Sequence, residues 1–171
     1  MARKCKCKKC GAQLTTDIAF KVVVKGVNHY YCNEPEYNKL QAYKLKRRNT
    51  MSYIFDMFSY NSDQLLPPVM IKKINVLAKT YDYDVIKETF KKDKKTLLYW
   101  WNLENKFTNE YNKVSYVMRI IENNINDTYK SMRIDKKQNE VSRSKVIIQD
   151  EALTKVKNII NKDISSFIEE E

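Results

Sequence analysis

Cys7-Lys8-Lys9-Cys10 and His29-Tyr30-Tyr31-Cys32 are separated by eighteen residues, and between them they hold the only histidine and three of the four cysteines. Two short-spaced pairs of soft or borderline donors are what a tetrahedral Zn²⁺ site needs, because a hairpin can bring the pairs together without a large core. Disulfides are the competing use of such cysteines, and they belong to oxidising compartments. Met1 to Cys10 is basic, with no apolar stretch of the kind a secretory leader carries, so reduced thiols and a cytoplasmic location are expected.

The elements that must position these ligands can be read around them. Gly11 follows Cys10 and supplies the left-handed backbone of a zinc knuckle. From Ile18 to Val24, Phe20, Val22 and Val24 alternate with Lys21 and Lys25, the period of a strand. Lys25-Gly26 reads as a hairpin turn, with a return strand to Tyr31. Asn33 is placed as an N-cap, with Glu36 as capping-box partner and Pro35 in the first turn, so a helix starts directly behind Cys32.

Knuckle, hairpin and helix in this order resemble a treble-clef type zinc finger. The spacing Cys-x2-Cys-x18-His-x2-Cys is similar to half of a LIM domain, and Tyr30-Tyr31-Cys32 before a capped helix resembles the TRASH and MYM-type fingers. The resemblance covers about the first 40 residues. A LIM domain would continue into a second zinc site, for which this chain has no cysteines, and a TRASH-type finger would place its last ligand at position 36, where Glu36 stands. A small finger followed by glycine-poor helices is also similar to proteins of Gram-positive bacteria and their phages. Fingers of this kind serve DNA, RNA and protein recognition alike.

Cys7, Cys10, Cys32 and His29 are therefore the expected Zn²⁺ ligands. His29 has the preferred chemistry for the fourth position, but a regular strand points residues 29 and 32 to opposite faces, so the chain must bend at Tyr31 for both to reach one ion. Cys5 and Glu36 are the alternatives.

Charge narrows the choice of partner. The formal charge is +11, and residues 1–48 hold twelve Lys and Arg against three acids, leaving +9 on the first quarter of the chain. A field this localised favours a polyanion, nucleic acid above all. Lys4, Lys6, Lys8 and Lys9 beside the knuckle, and Lys39, Lys44, Lys46, Arg47 and Arg48 on the helix, are the expected phosphate contacts. A protein partner, met by the finger and the helical domain, is the second reading. Twelve tyrosines and Trp100-Trp101 offer stacking platforms for single-stranded bases, although at helical spacing such residues serve a core.

The remainder reads as helical. After Gly26 there is no glycine in 145 residues, which disfavours tight hairpins. Met51, Ile54, Phe55 and Phe58 mark a short helix behind a Thr50 cap. Pro67-Pro68 opens a second, Tyr83 to Lys91 forms a third, and Leu97, Leu98, Trp101 and Leu103 mark a fourth. Phe107, Tyr111, Val114, Met118, Ile121, Ile125, Tyr129 and Met132 form one face of a long fifth helix, either a bundle core or a dimer seam. The expected fold is mainly α: a zinc-bound hairpin and helix module at 1–48, a helical domain at 49–132, a polar linker at 133–145 and an amphipathic helix at 146–171. No apolar run is long enough to span a bilayer.

No enzyme is expected. The histidine and cysteines are absorbed by the metal, no glycine-rich phosphate loop exists, and Asp82 and Asp84 before a helix are better placed to cap it than to share a metal.

Overall fold

The computed structural model describes residues 2–61, 63–103 and 106–168, with side chains up to residue 141. Two antiparallel hairpins come first. Strands β1 (Lys4–Lys6) and β2 (Gln13–Thr15) pair with Cys5 opposite Leu14, and β3 (Phe20–Val24) and β4 (Val27–Tyr31) pair from Phe20↔Tyr31 to Val24↔Val27. Lys25 (φ 50°) and Gly26 (φ 77°) make the second turn; two consecutive positive φ values match the twist of the flanking strands.

Five helices follow: α1 (Glu34–Met57), α2 (Pro68–Leu77), α3 (Tyr83–Lys92), α4 (Lys94–Asn102) and α5 (Glu110–Ile168). The architecture is the expected one, a small β-hairpin module leading into an all-helical, mainly α domain. Phe20, Tyr31 and Tyr37 hold the second hairpin on α1, with ring centroids 5.6 and 4.9 Å from Tyr37. Further along, Ile54, Met70, Ile74, Ile86, Phe90, Leu97, Val114, Val117, Met118 and Ile121 are fully buried and form the core of the helical part. Val117, absent from the expected stripe, joins it, while Tyr111 and Tyr129 are exposed. Trp101 lies against Phe58 at 4.3 Å, so it packs within the helical part.

Two expected boundaries differ. The basic helix and the helix expected after Thr50 are one element, α1; Thr50 is no cap but a buried mid-helix residue whose hydroxyl donates to the Tyr83 carbonyl at 3.0 Å. The expected linker at 133–145 is helical and continuous with α5. Its Lys, Arg, Gln and Glu residues are good helix formers and it contains neither Gly nor Pro; over 133–141, where side chains are described, all are exposed, so polarity there marks a solvated helix. The chain divides into two compact units, the first ending at Ile125 and the second starting at Asn126. The apolar positions from Val146 to Phe167 fall outside the described side chains, and Glu169 to Glu171 outside the described residues.

Candidate metal centre

The knuckle is built between β1 and β2. Cys7 N–H donates to Ala12 O at 2.9 Å, Gly11 N–H to Cys7 O at 3.0 Å, and Lys9 N–H to the Cys7 sulfur at 3.4 Å. Gly11 holds φ at +78° with open space around it, so backbone conformation and not crowding demands glycine there. Lys8 N–H reaches Tyr30 O at 2.9 Å and lays the knuckle against β4, beside Cys32. The helix that follows is capped by Asn33, whose Oδ1 accepts from Glu36 N–H at 2.8 Å. The Glu36 carboxylate turns toward the knuckle instead of completing a capping box. It accepts from the Cys7 thiol at 3.6 Å and pairs with Lys9 at 3.3 Å.

Cys7, Cys10, Cys32 and Glu36 are thereby gathered with ligand atoms within 4.8 Å of one another, a cluster able to coordinate a metal ion. Cys10 and Cys32 sulfurs are 3.4 Å apart and all four cysteines are free. Tetrahedral Zn²⁺, with Zn–S bonds of about 2.3 Å, separates its sulfurs by about 3.8 Å, so the donor set fits the ion in type and spacing.

Electrostatics point the same way. Burial raises the Cys7 thiol, but backbone N–H donors at Cys10 and Lys9 outweigh it and bring the group down to about 7. Cys32 is pushed up to about 12, mainly through its hydrogen bond with Cys10 and then those with Glu36 and Cys7. Glu36 is held below the usual carboxylate range, first by the Cys32 thiol and then, against burial, by Lys9. One thiol gives up its proton easily while a neighbour retains one among crowded acceptors. A bound cation would take that proton's place.

His29 is not part of this group. The β3–β4 pairing stays regular through Tyr31, with Val22 opposite His29, so the bend that would bring His29 to the metal does not occur. Within the strand His29 shares a side with Tyr31, which packs on Tyr37, whereas Cys32 lies just past the end of β4, where the chain turns toward α1 and joins the cluster. Cys5 sits within β1, opposite Leu14, and is also outside the group. Glu36 takes the fourth place.

The nine expected phosphate contacts separate into three sets. Lys4, Lys6, Lys8 and Lys39 are exposed, and Lys39 follows Glu36 by three residues on the side of α1 that faces the cluster. Lys9 is held by Glu36, and Lys46 lies 2.8 Å from Asp82 and 2.6 Å from Asp84, joining α1 to the start of α3. Lys46 is thus engaged by two carboxylates instead of presented to a ligand. Asp82 also caps α3, accepting from Asp84 N–H at 3.1 Å. Lys44, Arg47 and Arg48 border an open groove between α1 and α2.

Fold and cluster together define a small protein in which a Cys3Glu metal-binding site on a two-hairpin module is fused to a helical domain. The family model described as SPbeta prophage protein YorH matches residues 7–166, and the chain belongs to that phage-related family. No curated protein and no solved structure matches it. Among the described residues no helix is long and apolar enough to cross a membrane.

Proposed function

We propose that this chain is a non-enzymatic, zinc-stabilised phage protein that binds nucleic acid through the outer face of its metal module, acting as a small regulatory or mobile-element factor in the host cytoplasm. Zn²⁺ is held by Cys7, Cys10, Cys32 and Glu36, and Glu36 occupies the position where the TRASH-type finger has its last ligand. The observation that carries the reading is the exposure of Lys4, Lys6, Lys8 and Lys39 beside the cluster, with no acid paired to them among the described residues. On a module fixed by one ion these cations form a single positive face, and each phosphate they neutralise releases a condensed counterion. His29 lies apart from the thiols and the thiols are committed to one another, which supports a binding role over a catalytic one.

Gel shift with duplex DNA, single-stranded DNA and RNA between about 50 and about 200 mM salt tests it. Four phosphate contacts give a log–log slope of about −3.6 on duplex, and K4E/K6E/K8E removes the shift. The reading fails if no nucleic acid is retained at low salt, or if retention is independent of salt.

A further inference from the structure

The helical part carries a feature the metal module does not use. α1 and α2 enclose an open groove of about 1410 Å³, floored by Met51, Phe55, Leu65, Leu66, Ile71 and Val76. Leu65 is 88% exposed and Val76 55%, so this apolar surface is left uncovered by the described residues. Its border is mainly basic among the described residues: Lys44, Arg47 and Arg48 from α1, with Lys72 and Lys79 from α2 and its end, against one acid, Glu110.

We propose that this groove receives an amphipathic helix of a partner protein whose apolar stripe is flanked by acidic residues. Size argues for a helix, since small-molecule pockets run about 300–1,000 Å³ and are more enclosed. The walls are helix faces of matching length: Arg47, Met51 and Phe55 follow one another at i, i+4 on α1, and Pro68, Ile71, Lys72, Asn75 and Val76 line α2, which rises about 15 Å over ten residues. That accommodates an i, i+3, i+4, i+7 pattern of apolar anchors. Charge selects the partner: five cations against one acid complement Glu and Asp beside the stripe and repel a basic helix. A phosphate backbone would match the border but gain nothing from the apolar floor, which separates this site from the knuckle lysines.

The probe is a lactam-bridged helical peptide of about 12 residues, with leucines on one face and glutamates beside them, followed by fluorescence anisotropy on the full chain. A lysine-for-glutamate version and a scrambled version serve as controls. The glutamate peptide binds, the lysine peptide at least tenfold more weakly and the scrambled one not at all. Leu65→Asp and R47E/R48E each weaken binding tenfold or more, whereas K4E/K6E/K8E leaves it unchanged. All these side chains are exposed, so circular dichroism should show unaltered helix content. Binding of the glutamate peptide no tighter than the scrambled one, or unmoved by both groove variants, overturns the proposal. So does loss of DNA retention in R47E/R48E with peptide binding intact, which would give that border to nucleic acid.

Discussion

The Thr50 hydroxyl donates to the Tyr83 carbonyl across 3.0 Å, joining the middle of α1 to the first turn of α3. Both residues are buried, and Tyr43 packs edge-on against the Tyr83 ring at 5.4 Å, so the bond lies within the contact that unites the two helices. Thr50→Val keeps the shape and removes the donor. The expected cost is about 1 kcal/mol, seen as a drop in thermal midpoint of about 2–4 °C. Thr50→Ser, which retains the hydroxyl, should recover part of it. Equal loss in both variants would mean that packing of the methyl group, not the hydrogen bond, matters at this position.

Lys46 reinforces the same helix pair from the surface. Burial alone would lift the Asp82 carboxyl, but the hydrogen bonds from Lys46 and from Asp84 N–H overcome it and hold the group below its ordinary range. The Lys46 ammonium is raised in turn by Asp82 and then Asp84. The carboxylate contribution is complete above its unfolded pKa of about 3.9 and is lost as pH falls through the lower folded value. The lysine contribution is complete below about 10.4 and is lost as pH rises through the raised folded value. Lys46→Met should therefore cost about 0.5 kcal/mol near neutrality, as expected for a half-exposed pair. Denaturant melts at stepped pH should show wild type and variant converging at both extremes. A constant gap across the whole range would assign the loss to the side-chain stem instead.

Ligand identity separates His29 from Glu36 by direct measurement. Metal analysis of the reduced, purified chain should find one Zn²⁺, unchanged in His29→Ala. Cys10→Ser and Cys32→Ser should lose the ion. Glu36→Gln should weaken its retention against a chelator by tenfold or more. Chelation should melt the hairpin module, read by near-ultraviolet circular dichroism of the Phe20, Tyr31 and Tyr37 cluster, while most far-ultraviolet helix signal remains. If His29→Ala releases the ion and Glu36→Gln keeps it, β4 bends in solution and the coordination described above is wrong.

Much of the module was legible from local chemistry. Lys25-Gly26 as a turn and Asn33 as a cap follow from backbone preferences that act within a few residues. The fourth cluster residue was not, because ligand chemistry alone ranks histidine above glutamate, while the choice depends on β4 remaining regular through Tyr31. Thr50 misled for a similar reason. A threonine before an apolar run resembles a cap, and its true partner, the Tyr83 carbonyl, is 33 residues away. At 133–145 the absence of an apolar stripe concealed a helix whose residues favour that state, with the described side chains, 133–141, exposed. Lys46 could not be distinguished from its basic neighbours until Asp82 and Asp84 were brought beside it.

α1 is one uninterrupted rod, with Glu36 in its first turn and Arg47 eleven residues on, a rise of about 17 Å. Inserting one residue between them would swing everything beyond it by about 100°. Arg47 and Met51 would then leave the wall facing α2, or Glu36 would leave the thiols. The stretch from Tyr37 to Lys46 is thus fixed in length by angle as strictly as by reach, so an insertion there is harmful whichever residue it adds.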